Sequence, residues 1–144
     1  MALVATKDIY LNQSFASKEE AIIFAGKCLV ESGYVSEEYV PAMLQREELT
    51  TTYIGNGVAI PHGTDEAKET IKDSGISFIQ VPKGIDFGEG NVATILVGIA
   101  GKDNEHLDII SKLAILFSDE DNVEQISKAA TIDEIMTIIE GAEL

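Results

Sequence analysis

At 144 residues with 45% hydrophobic side chains, the chain has the length and apolar content of one domain with a full core. Its formal net charge of −15 argues against nucleic acid and anionic membrane as partners, because both are held mainly through clustered Lys and Arg. The single cysteine, Cys28, cannot form an internal disulfide and falls in an amphipathic helical pattern, which predicts a buried, inert thiol and a reducing compartment. Residues 1–7 lack the basic stretch and apolar segment of a signal peptide, and no run approaches the ~18 apolar residues of a membrane span. The expectation is a cytoplasmic protein with no direct membrane insertion.

In chain order, Ile9-Tyr10-Leu11 reads as a short extended segment. Ser17-Lys18-Glu19-Glu20 has the S-x-x-E spacing of a capping box and predicts a helix start. Ile22, Ala25, Gly26 and Leu29 then recur on one face, Ile23 and Val30 widen it, and Gly33 is placed to end the helix in a left-handed conformation. Ser36-Glu37-Glu38 opens a second helix carrying Val40, Met43 and Leu44 inward, with Pro41 near its first turn and Gln45-Arg46-Glu47-Glu48 as its polar end. Thr50 to Thr52 and the glycines Gly55 and Gly57 break helicity, so Val58-Ala59-Ile60 is expected as a short strand that delivers His62 to a loop.

Residues 64–73 are polar, with room for one helical turn. Ile76 to Val81 is rich in β-branched and aromatic side chains and predicts a strand, ended by Pro82-Lys83-Gly84. Ile85-Asp86-Phe87 suggests a short edge segment, and the apolar run from Val92 to Ala100 a central strand covered on both faces. A helix is expected over 105–117 with Leu107, Ile110, Leu113, Ala114 and Phe117 inward and Asp103 or Asn104 as its cap, which puts His106 in the first turn. Two more helices follow: one over 119–128 using Val123 and Ile126, and one opened by the capping box Thr131-Ile132-Asp133-Glu134 that runs through Ile135, Ile138 and Ile139 to Gly141. Interleaved helices and strands predict a single α/β domain over residues 1–144, a mixed β-sheet flanked by helices. The segments between residues 76 and 100 are too short for the helical crossover that a purely parallel sheet needs.

Chemistry converges on Ile60-Pro61-His62-Gly63. Proline stiffens the entry to the histidine and glycine permits a close approach beyond it. His62 either packs as a structural histidine at a strand end or presents a free-base nitrogen, since an imidazole titrates near 6.5. Metal binding is poorly supported, with two histidines far apart and one cysteine in a core pattern. There is no G-x-S-x-G elbow for a hydrolytic triad, no P-loop and no G-x-G-x-x-G fingerprint. His106, at a helix N-terminus, is either a solvated first-turn residue or part of an anion site. Arg46 either pairs with Glu47 or Glu48 at the surface or forks onto a phosphoryl group.

The stretch Glu38-Tyr39-Val40-Pro41-Ala42-Met43-Leu44-Gln45-Arg46-Glu47, followed by Tyr53-Ile54-Gly55-Asn56-Gly57-Val58-Ala59-Ile60-Pro61-His62-Gly63-Thr64, closely resembles the mannitol-type enzyme IIA family of the bacterial sugar phosphotransferase system. The resemblance extends through Glu105-His106-Leu107 and the C-terminal helices. It implies that His62 takes a phosphoryl group on Nε2 from phosphorylated HPr and passes it to a cysteine of mannitol enzyme IIB, with no cofactor. It implies that His106 and Arg46 stabilise that group, and an apolar patch with a polar rim is expected around His62. Fructose-type or regulatory nitrogen-type enzymes IIA carry a similar loop and stand as the alternative, with a non-catalytic ligand-binding module as the alternative of another class.

Overall fold

The computed structural model describes residues 4–142; the outer ends of the expected 1–144 span, and with them the first three residues read for a signal peptide, lie outside the described residues. Among the described residues, five strands form one sheet: β1 (Ile9–Tyr10), β2 (Tyr53–Gly55), β3 (Val58–Ala59), β4 (Gly75–Asp86) and β5 (Val92–Ala100), in the order β1-β4-β5-β3-β2. The pairs β1/β4 and β3/β5 are parallel, while β4/β5 and β2/β3 are antiparallel, so the sheet is mixed as expected and β5 is its central strand.

Alternation along the strands divides the core into two layers. Ile76 and Phe78 of β4, Ile95, Val97 and Ile99 of β5, and Val58 of β3 face the helices α3 (Glu105–Phe117), α4 (Glu120–Lys128) and α5 (Ile132–Gly141). Ile79 and Val81, Leu96 and Ala100, and Ala59 face α1 (Lys18–Glu31) and α2 (Tyr39–Leu49). The two polar positions buried in β4 obey the same alternation: Ser77 donates to the Ala25 carbonyl of α1, and Gln80 donates to the Ile126 and Ala129 carbonyls at the end of α4. Each is satisfied, as burial requires.

The helix boundaries follow from local chemistry. Ser17 Oγ accepts from the Glu20 amide at 3.2 Å, and Thr131 Oγ1 accepts from the Glu134 amide at 3.2 Å. In both caps the glutamate carboxylate reaches one residue further back than the box predicts, to the amides of Ala16 and Ala130. Gly33, at φ +83°, ends α1 with its amide on the Val30 carbonyl and the Tyr34 amide on the Leu29 carbonyl, a pairing that needs the left-handed residue. Cys28 is buried, and burial pushes its thiol up to about 11, which keeps it protonated.

Five expectations need correction. Pro82-Lys83-Gly84 does not end β4: the register shifts between Gln80 and Ile85, Gly84 takes φ +78°, and the strand bends and continues. Ile85-Asp86 is therefore paired with Ala93 and Val92 inside the same ladder, not a separate edge. The segment before His62 contains a hairpin that the helix-breaking reading overlooked, with Asn56 at φ 52° and Gly57 at φ 78° as its two left-handed turn residues. The inward face of α3 is rotated: Ile109, Leu113, Leu116 and Phe117 are buried, whereas Leu107 is 61% exposed and Ala114 faces solvent. Asn104 occupies the cap position of α3 but makes no side-chain cap bond. The end of α2 carries the expected polar residues, of which Glu47 is buried.

Candidate active site

Because β3 and β5 run parallel, their carboxyl ends open on the same side of the sheet, and the residues that follow them emerge side by side. The Ile99 amide donates to the Pro61 carbonyl at 2.9 Å, and His62 bridges Ile99 in parallel fashion, so the chain stays pinned to β5 up to the histidine. Beyond β5, Gly101 lies against the backbone of His106; a methyl group on it would collide with the His106 Cα and amide nitrogen. The only residue type that fits there brings the first turn of α3 onto the end of the sheet.

His62 Nδ1 lies 2.8 Å from the Ile60 carbonyl oxygen. A carbonyl only accepts, so Nδ1 carries the hydrogen and the Nε2 lone pair is left free. This carbonyl is the group that fixes the tautomer, which the sequence left open. Burial pulls the imidazole's pKa below its ordinary 6.5, the Ile60 bond opposes that, and the charges of Arg46 and His106 lower it further against a smaller opposing effect from Asp65. His62 is therefore neutral at neutral pH.

His62 and His106 line one small cleft of about 20 Å³ together with Tyr39, Gly63, Thr64, Asp65 and Lys68. Arg46 does not line it: its charge reaches His62, but Nη1 donates to the Thr50 carbonyl at 2.6 Å. The surface alternative for Arg46, a pair with Glu47 or Glu48, is not formed among the described residues, and Glu47 faces Lys18 at 3.7 Å. Two large apolar side chains close in sequence to these residues are exposed: Leu107, next to His106, and Leu49, three residues after Arg46 in the last turn of α2.

Tyr39 is the residue that sequence reading missed. It is buried, its hydroxyl donates to the Ile99 carbonyl at 2.7 Å, and the same oxygen accepts from the Gly63 amide at 2.8 Å. Burial pushes the phenol up to about 12, so it stays a donor. No local pattern announces this role, because both partners lie far from Tyr39 in sequence. Lys68 and Asp65 sit in a 3-10 helix, Asp65–Thr70, in the stretch expected to be polar.

A neutral imidazole with a free nitrogen, the Lys68 side chain in the same cleft, the charge of Arg46 within electrostatic reach and a helix N-terminus make an arrangement that can act as a nucleophile toward an anionic electrophile. Among the described residues, no three His, Cys, Asp or Glu side chains are grouped to hold a metal, and no helix is long and apolar enough to cross a membrane.

Residues 2–142 match the family described as phosphoenolpyruvate-dependent sugar phosphotransferase system, EIIA 2, and the chain belongs to that family. Within it, the chain is 50% identical over 138 residues to the mannitol-specific phosphotransferase enzyme IIA component of Bacillus subtilis (strain 168), covering 96% of each chain. It is 52% identical over 139 residues to the component of the same name from Geobacillus stearothermophilus, again covering 96% of each. Among solved structures it superposes with a TM-score of 0.93 on a complex of enzyme IIAMTL and phosphorylated enzyme IIBMTL from Escherichia coli, at 41% identity over 98% of this chain and 99% of that one.

Proposed function

We propose that this chain is a cytoplasmic phosphocarrier of mannitol uptake, a single enzyme IIA domain over residues 1–144 that takes a phosphoryl group from HPr and gives it to mannitol enzyme IIB. The observation that carries the reading is the Nδ1 contact of His62 with the Ile60 carbonyl, which leaves Nε2 as the free nucleophile in a cleft shared with His106. The Nε2 lone pair forms a bond to the phosphorus held on the histidine of HPr, and the donor's P–N bond breaks with its electron pair returning to that imidazole. In the second transfer a cysteine thiolate of enzyme IIB forms the S–P bond, and the electron pair of the Nε2–P bond returns to His62.

Such a transfer asks little covalent chemistry of the protein, so placing the reactants and stabilising the equatorial oxygens carry the catalysis. His106 offers a ring donor and the amides at the start of α3 to those oxygens without being phosphorylated. Arg46 exchanges the Thr50 carbonyl for two phosphoryl oxygens, a geometry that suits a planar guanidinium.

Incubation with phosphorylated HPr is expected to add one acid-labile phosphate, read by mass spectrometry, and none to His62→Ala. A phosphorylated His62→Ala protein overturns the assignment. Onward transfer to mannitol enzyme IIB, in preference to fructose-type enzyme IIB, fixes the sugar system.

A further inference from the structure

A buried carboxylate needs compensation, and a negative charge in the last turn of a helix is opposed by the helix dipole as well. Glu47 has both handicaps. Its side chain is 4% exposed, one oxygen (Oε2) has no hydrogen-bond partner, and the ammonium of Lys18 stands 3.7 Å from it. Ending the helix does not require it, since the Thr50 amide already returns to the Arg46 carbonyl and Arg46 holds the Thr50 carbonyl.

Its other oxygen is the one engaged. Oε1 accepts from both the Thr52 amide, at 2.9 Å, and the Thr52 hydroxyl, at 2.6 Å. The Thr52 carbonyl in turn accepts from the Ile60 amide at 3.0 Å, and the Ile60 carbonyl accepts from His62 Nδ1. The Thr52–Ile60 contact lies just outside the ladder pair Tyr53↔Ala59, at the end of a hairpin arm where such contacts fray unless something holds them.

We infer that Glu47 is a positioning residue: through Thr52 and Ile60 it fixes the carbonyl that keeps the hydrogen of His62 on Nδ1 and leaves Nε2 free. The inference rests on the phosphocarrier reading above. When the Glu47 clamp is lost, the Ile60 carbonyl moves, the two imidazole tautomers compete, and the nucleophile is correctly presented only part of the time. Phosphate then enters slowly and partly at the wrong nitrogen.

The test reads the tautomer directly, from the ring nitrogen signals of unphosphorylated His62 by NMR, alongside the rate of phosphorylation by phosphorylated HPr. Glu47→Ala, with its amide spectrum showing an intact fold, is expected to give a mixed tautomer, a rate lower by about tenfold and a share of phosphate on Nδ1. Glu47→Gln, whose amide oxygen accepts the same two bonds, is expected to restore both readouts, and Thr52→Val, which loses one of the two, to fall between. A folded Glu47→Ala protein that keeps the Nδ1–H tautomer and the parent rate overturns the inference, as does a Glu47→Gln protein as impaired as Glu47→Ala. Should Glu47→Ala fail to fold, an unchanged tautomer and rate in Thr52→Val overturn it instead. A parent protein that takes no phosphate on His62 sinks the phosphocarrier reading, whereas a phosphorylated parent with variants of unaltered tautomer sinks only the role of Glu47.

Discussion

Tyr39 and Gly63 are fitted to each other in two ways: the phenol oxygen accepts the Gly63 amide at 2.8 Å, and a Cβ on Gly63 would stand 2.6 Å from the Tyr39 ring. The same oxygen donates to the Ile99 carbonyl, so one side chain of α2 holds the exit of the His62 loop against the end of β5. Tyr39→Phe keeps the ring but strands a buried carbonyl and an amide. It is expected to cost about 1–3 kcal/mol in urea unfolding and to slow phosphorylation more than it alters the spectrum of the core.

The lowered pKa of His62 has a sign that can be checked. Above 6.5 the imidazole is neutral in both folded and unfolded chains and contributes nothing to pH dependence. As pH falls through 6.5, the unfolded chain takes up a proton that the folded chain resists, and stability drops until the folded pKa is passed. Between about pH 7.5 and about pH 5.5, the unfolding free energy should decline less in His62→Gln than in the parent protein. By the same argument the free-base form of His62 outlasts that of an ordinary histidine in acid, and an NMR titration of the His62 ring should show a midpoint below 6.5.

Gly101 tests the seating of α3. Gly101→Ala puts a methyl group into the His106 backbone, which cannot swing aside as a side chain would. The expected result is a loss of about 1–3 kcal/mol together with slower phosphoryl transfer, as the first turn of α3 is displaced from His62. Gly141→Ala, at a glycine whose added Cβ meets open space, is the control and should stay within about 0.5 kcal/mol of the parent.

Phe117 closes the α3 layer. It is 2% exposed, its ring sits 6.1 Å from that of Phe78, and its carbonyl accepts from the Asn56 side chain in the hairpin turn. Phe117→Ala is expected to lower stability by about 3–5 kcal/mol, measured by chemical denaturation.

What the sequence made legible was governed by short-range rules. The caps at Ser17 and Thr131, the left-handed Gly33, the buried run of β5 and the strand-end placement of His62 all follow from residues within a few positions of one another. The rotated face of α3 shows where such rules stop. Leu107 and Ile109 both fit an apolar stripe, and only the packing of α3 against the sheet decides that Leu107 is exposed and Ile109 buried. Proline at position 82 was misread for a related reason: a bulge frees the strand from needing that amide, and bulges are set by the partner strand. The Asn56-Gly57 turn was readable and overlooked. The partners of Tyr39 and Glu47 were not readable, because a hydroxyl or carboxylate carries no local sign of which distant amide it will meet.

The sheet has two margins, β1 with two residues and β2 with three. Lengths like these give a foreign strand almost no backbone to zip onto, and so guard this acidic protein against sticking to copies of itself. They also mean that a visiting protein must hold on by side chains and not by adding a strand, and a carrier that shuttles between a donor and an acceptor has to release each in turn.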